Sequence, residues 1–217
     1  MARLALIETM RASEGRLPWL ERHLARLRAS SLALGLAPPP DDLSDLLRSI
    51  VGSGDRVVRL ELRDGHPEIT TRDTSAWRSP AIVVSDEVHR SYPNKTTQRE
   101  HFGRALTNAK RIGADDALLF TAQGEIAEGT AWNLFWWDGD TLCTPAADLG
   151  ILPGIARGRI MELAEVQEVR APVTALAGRS LFLANAVQGI VEIGTFERSR
   201  VPRHPRTAQL SAAFWPD

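Results

Sequence analysis

The sequence predicts an α+β fold in two parts. Three observations carry that reading. Helical leucine spacing is concentrated early in the chain, short apolar strands dominate the later half, and the two element types are segregated rather than strictly alternating. The 217 residues are 43% hydrophobic and 24% charged, with a net charge of −1. Such a chain can bury a core for one or two small domains. The balance argues against disorder and against a nucleic-acid partner held by bulk positive charge. The expected division is a small N-terminal α/β domain over 1–88 and a larger, mixed, β-rich domain over 89–217.

The elements follow in order. Residues 3–12 read as a strand leading to a Glu14-Gly15 turn. Leu20, Leu24, Leu27 and Leu34 form a stripe at helical spacing, predicting a helix from Leu17 to about Leu36. Gly35 and Pro38-Pro39-Pro40 end it, and Asp41 and Asp42 stand where the N-cap of a second helix is expected, running to about Val51. Arg56 to Leu62 alternates as a strand, and Asp64-Gly65 is a hairpin signal before a return strand over 68–71. A short buried strand over 81–85 and a polar linker over 86–94 follow. The second half then predicts a helix over 98–112 and strands over 116–121, 125–129, 132–137 and 140–144. Gly150-Ile-Leu-Pro-Gly154 is read as a tight loop opening a helix from Ile155 to about Val166. Strands over 181–184 and 189–193 complete the series, with 202–206 a surface segment and Phe214-Trp215 docking the tail. Trp132, Trp136 and Trp137 fit either a contact surface or a sheet core.

Several classes of function are excluded. One cysteine, Cys143, allows neither an intrachain disulfide nor a Cys-rich zinc site. Five scattered His residues show no metal-ligand spacing, so no metal is expected. Dinucleotide, P-loop and serine-hydrolase glycine motifs are missing. Glu8 interrupts the N-terminal apolar run early, and no apolar stretch approaches the ~20 residues that span a bilayer. A cytoplasmic location with no membrane partner is the expectation. One number stands out: of 26 basic residues, 24 are Arg and two are Lys, Lys95 and Lys110. Arg stays protonated, whereas Lys can lose its proton and act as nucleophile or base.

Three features of the second half belong together. Lys95 lies two residues after Pro93 and precedes a helix. Glu128 lies among apolar strands. Gly154 introduces a helix whose first N–H groups, at Ile155 and Ala156, point outward and form an anion site. An amine, a carboxylate and a phosphate cradle are what pyridoxal 5'-phosphate (PLP) chemistry requires. Each feature alone also fits a bland reading: a solvated Lys, an exposed strand carboxylate, plain loop geometry. Lys110, beside Arg111 at a helix C-terminus, fits solvent and the helix dipole.

The order of motifs resembles the class IV aminotransferases, the fold type IV PLP enzymes. Ile7-Glu-Thr-Met-Arg11, then Glu21-Arg-His23-Leu-Ala-Arg26-Leu27, is similar to the family's F-E-T-x-R and E-H-x-x-R-L. Asn94-Lys95-Thr-Thr-Gln-Arg99 resembles its lysine segment, and Gly124-Glu-Ile-Ala-Glu128-Gly-Thr-Ala-Trp-Asn133-Leu-Phe135 its core signature. Thr144-Pro145 and Gly150-Ile-Leu-Pro-Gly154-Ile155-Ala-Arg157 resemble its phosphate-loop segment. The resemblance implies a two-domain fold of the D-amino acid aminotransferase type and PLP as cofactor. Lys95 would be the Schiff-base lysine and proton shuttle, and Glu128 the partner of the pyridine nitrogen. The Ile155 and Ala156 N–H groups would hold the phosphate, with Arg26 reaching it. Arg26 also reads as one of several solvated helix charges, and His23, one turn before it, as a packed side chain. A homodimer is implied, because family sites are completed by a second subunit.

Within the family, the resemblance tilts toward 4-amino-4-deoxychorismate lyase. Glu100 stands where transaminases often carry Tyr. Ala184-Asn185-Ala186 replaces their Thr-Gly-Thr-Ala and resembles the lyase branch, which adds Asn185 to the cofactor-binding residues. Lys95-Thr-Thr-Gln98-Arg99 is close to that branch's Lys-x-x-Asn-Arg, Gln98 being the departure. Other departures are the F-E-T-like motif starting at Ile7, some twenty residues early, and Ala156 in place of a family hydroxyl. The implied reaction is β-elimination giving 4-aminobenzoate and pyruvate, which belongs to folate biosynthesis. The alternatives are a branched-chain or D-amino acid transaminase, and a non-catalytic relative that binds PLP or a partner.

Overall fold

A computed structural model describes residues 4–216. The chain divides into two compact units. The first takes the described residues to Ser75 together with Asn94–Gln98, and the second takes Ala76–Pro93 and the chain from Arg99.

The first unit contains strands β1 (Leu6–Ala12), β2 (Arg56–Arg63) and β3 (His66–Asp73), and helices α1 (Leu20–Ala33) and α2 (Leu43–Ser49). The strands form an antiparallel sheet in the order β1-β2-β3. Leu20, Leu24 and Leu27 of α1 pack with Leu43 and Leu47 of α2 onto Leu6, Met10, Val58 and Leu60 of the sheet. Each such fully buried side chain contributes about 1.5–3 kcal/mol. The hairpin between β2 and β3 turns at Asp64 and Gly65, whose φ values of 51° and 80° match the twist of paired strands. Asp42 is the N-cap of α2, as placed from sequence, but its side chain makes no capping hydrogen bond.

The second unit contains β4 (Ala81–Val88), α3 (Glu100–Arg111), β5 (Asp116–Phe120), β6 (Ile126–Gly129), β7 (Asn133–Asp138), β8 (Thr141–Pro145), α4 (Ile155–Leu163), β9 (Val166–Val169), β10 (Ser180–Asn185), β11 (Gly189–Glu192), β12 (Thr195–Phe196), β13 (Ser199–Arg200) and α5 (Pro205–Ala212). Two five-stranded sheets result, β11-β10-β7-β8-β9 and β13-β12-β4-β5-β6. One core joins them: Ile82 and Leu118 from the second sheet pack with Leu134, Trp136, Leu181 and Leu183 from the first. The three tryptophans of the Trp132–Trp137 run are buried within this unit. The Trp137 indole N–H donates to Thr207 Oγ1 on α5 at 2.8 Å.

Three local readings shift, and a fourth gains an element. The linker expected over 86–94 is partly strand, since β4 runs to Val88 and the His89 N–H donates to the Phe120 carbonyl at 2.7 Å. Helix α4 stops at Leu163, and Val166–Val169 is a strand parallel to β8. The segment at 202–206 lies on the surface as expected, and it leads into α5 with Pro205 in its first turn, where a missing N–H costs nothing. Asn94–Gln98 groups with the first unit because it pairs with β1: Ile7 N–H donates to the Lys95 carbonyl at 2.8 Å and Thr97 N–H to the Ala5 carbonyl at 2.9 Å. The tail docks as expected, with Phe214 fully buried.

Candidate active site

The first unit gathers Lys95, Arg26, His23 and Glu8. Strand β1 fixes the lysine through the Ile7–Lys95 hydrogen bond and the Leu6–Thr96 bridge. The next residue on β1, Glu8, points its carboxylate into a closed ion cluster with α1. Arg26 donates from Nε to Oε1 at 2.8 Å and from Nη2 to Oε2 at 2.6 Å. His23 Nδ1 lies 2.6 Å from the same Oε2. His23 and Arg26 are three residues apart on a helix, which places both on the face that meets Glu8.

Burial raises the Glu8 pKa, but Arg26 and His23 outweigh it and hold the carboxyl at about 2. Burial is also the largest influence on His23 and lowers its pKa, partly opposed by Glu8; Arg26 and Lys95 lower it further. A neutral His23 therefore donates from Nδ1, and its buried Nε2 has no hydrogen-bond partner among the described residues. Arg26 is thus not a loose surface charge: its Nε and Nη2 edge is committed to Glu8.

The second unit gathers Glu128, the loop before α4, Asn133 and Asn185. Glu128 is buried, with its side chain 4% exposed. Its Oε1 accepts from the Leu152 N–H at 3.1 Å and faces His89 Nε2 at 3.0 Å. Its Oε2 takes no hydrogen bond among the described residues. Leu152 is held from both sides, since Asn133 Nδ2 donates to its carbonyl at 3.0 Å. The carboxylate and the loop leading to α4 are therefore one hydrogen-bonded piece.

Two glycines shape that loop. A Cβ at Gly154 would lie 1.9 Å from Asn133 Oδ1, so only glycine lets Asn133 reach the loop. Gly150 has φ +74°, and a Cβ there would lie 2.5 Å from Ser91 Oγ. Helix α4 begins at Ile155 with no side-chain cap and no acid in its first turn, leaving its N-terminal dipole for an external anion. Arg157 serves the scaffold: it pairs with Glu168 and donates to the Pro145 carbonyl at 3.3 Å. Asn185 is also spent locally. Its Oδ1 accepts from the Val187 and Gln188 N–H groups at 2.9 and 2.8 Å, fixing the turn after β10.

Of the residues named from sequence, Lys95 and Arg26 lie in the first unit, and Glu128, Ile155, Ala156 and Asn185 in the second. Glu8 and His89 were missed as site residues. Their partners lie 15–18 and 39 positions away, so no local spacing marks them. Lys110 is half exposed beside Asp115 and the Trp77 ring, as expected for a helix end. No group of His, Cys, Asp and Glu fit for a metal occurs among the described residues, and no described helix is long and apolar enough to cross a membrane.

This fold and these two clusters define a class of cofactor enzyme. The class IV aminotransferase model matches residues 5–195, and the chain belongs to that family. The family's cofactor is PLP. A Rickettsia felis protein named "Probable branched-chain-amino-acid aminotransferase" is 30% identical over 76% of this chain and 68% of its own length. A Schizosaccharomyces pombe protein named "Putative aminodeoxychorismate lyase" is 29% identical, covering 71% of this chain and 72% of itself. The chain spans about a third of two Arabidopsis thaliana branched-chain-amino-acid aminotransferase-like proteins, at 27% identity. Among solved structures, one from Legionella pneumophila named "Putative 4-amino-4-deoxychorismate lyase" superposes with a TM-score of 0.84 at 25% identity, over 96% of this chain and 89% of that one. The architecture is that of the fold type IV aminotransferases.

The residues present fit PLP. Glu128 offers one carboxylate oxygen, Oε2, for a ring N–H, its other oxygen being held by Leu152 and His89. The uncapped N-terminus of α4 suits a phosphate.

Proposed function

We propose that the chain is a PLP-dependent lyase of the 4-amino-4-deoxychorismate type, releasing pyruvate and leaving 4-aminobenzoate. The observation that carries the cofactor reading is the Glu128 carboxylate: Oε1 is saturated by His89 and Leu152, Oε2 is open, and the same loop leads into an uncapped helix N-terminus. In this reading PLP supplies the electron sink. Glu128 holds a proton on the ring nitrogen, and the Ile155 and Ala156 N–H groups and Arg26 hold the phosphate. Lys95 Nζ takes the proton from the carbon bearing the amino group. The neighbouring C–O bond breaks, pyruvate leaves as its enol, and the six-membered ring becomes aromatic. Aromatisation drives the step, so positioning and a base suffice.

The lyase reading over amino transfer is supported by the turn after β10. Asn185 builds it with its own side chain, where transaminases of the family present hydroxyls. A branched-chain transaminase is the second reading, favoured by the Rickettsia relative. The deciding experiment supplies PLP-loaded protein with aminodeoxychorismate, and separately with a branched-chain amino acid and 2-oxoglutarate. Pyruvate and 4-aminobenzoate in the first reaction support the lyase; glutamate in the second, with no pyruvate in the first, overturns it. The same reading carries a cytoplasmic homodimer whose second copy completes each site, testable by sedimentation with and without PLP.

A further inference from the structure

We infer that His89 is a positioning residue for Glu128, an assignment that rests on the reading that Glu128 meets the cofactor's ring nitrogen. The geometry is specific. His89 follows the last residue of β4, and its backbone is fixed by the hydrogen bond to Phe120. Its side chain is 1% exposed and packs edge-on to the rings of His101 and Phe102, at centroid distances of 6.4 and 6.1 Å. With the backbone fixed and the ring wedged, Nε2 has one direction, toward Glu128 Oε1 at 3.0 Å.

A buried carboxylate needs donors to replace the water it has lost. Glu128 has two, the Leu152 N–H and His89 Nε2, and both converge on Oε1. Two donors on one oxygen do two things. They hold the carboxylate against rotation, and they leave Oε2 as the acceptor for the ligand. His89 touches neither ligand nor reacting atoms in this scheme; it acts through Glu128, as outer partners orient the groups that bind metals.

The test compares PLP with its 1-deaza analogue, in which carbon replaces the ring nitrogen. The readout is the dissociation constant of each in equilibrium dialysis. Wild-type protein should prefer PLP. In His89→Leu, which removes the donor, that preference should fall about tenfold, the size of one hydrogen bond to a charged group, while affinity for the deaza analogue stays unchanged. In His89→Gln, whose side-chain nitrogen reaches a similar position, the preference should return. Should His89→Leu fail to fold, His89→Asn takes its place, since its amide ends short of Glu128. Retained preference in the Leu or Asn variant overturns the inference, as does equal loss in the Gln variant. Glu128→Gln separates the two levels: if it too retains the preference, the ring-nitrogen reading falls and the inference with it. Loss in Glu128→Gln but not in the His89 variants overturns the inference alone.

Discussion

Glu8 Oε2 lies 2.6 Å from both His23 Nδ1 and Arg26 Nη2, so one buried carboxylate serves two helix side chains. Its pKa is about 2, against an ordinary value of 4.5, and that of His23 is lowered below 6.5. Both shifts have the same sign for stability. The unfolded chain takes up protons more readily, so the folded first unit is favoured above pH 6.5. It loses stability as the pH falls, first through His23 and then between 4.5 and about 2 through Glu8. The urea midpoint, followed by far-ultraviolet circular dichroism, should decline across that range. Glu8→Gln should cost roughly 3 kcal/mol at pH 7, because it removes the buried charge that Arg26 and His23 both face, and it should remove the steepest acid limb. A midpoint with no pH dependence between 7 and 3 would contradict this.

Gly154→Ala should damage the cofactor loop rather than the helix. The added methyl would meet Asn133 Oδ1 at 1.9 Å and displace the amide from the Leu152 carbonyl. The expected cost is about 1–3 kcal/mol in stability, with weaker PLP binding in a dialysis titration. Gly158→Ala, inside α4 with open space at the Cβ, should leave both unchanged or stabilise slightly. Equal behaviour of the two variants would contradict the close-approach account.

The C-terminal tail is part of the second unit's core. Phe214 is fully buried, and its ring lies 3.1 Å from where a Cβ on Gly189 would stand. Arg159 on α4 donates to the Phe214 carbonyl at 3.1 Å. Phe214→Ala should cost about 3–5 kcal/mol in a thermal or urea melt. A cost below 1 kcal/mol would show the tail to be ornamental.

Elements with strong periodicity were legible. The leucine stripe located α1, and Asp64-Gly65 located the first hairpin, because each signal is local. Strand β9 was hidden because Glu165-Val-Gln-Glu-Val169 continues a helical run without a breaker; its pairing with β8 decides the outcome. Strands β12 and β13, at two residues each, are too short to carry a period. In the site, Lys95 stood out by the scarcity of lysine, and Glu128 and Gly154 by their order. The partners that make those residues work did not. Glu8 sits in a quoted motif with nothing to show that it would be buried, and His89 lies in a stretch that reads as polar linker. The pairing of β4 with β5, and of β5 with β6, brings His89 to Glu128.

The central claim is that Lys95 carries the cofactor, and a chain with two lysines tests it cleanly. PLP-saturated protein is reduced with borohydride, digested, and mapped by mass spectrometry, with Lys95→Ala and Lys110→Arg in parallel. The account predicts the pyridoxyl mark on Lys95 in wild type and in Lys110→Arg, and no mark in Lys95→Ala. A mark on Lys110 alone, or an unmarked Lys95 in saturated protein, would contradict it.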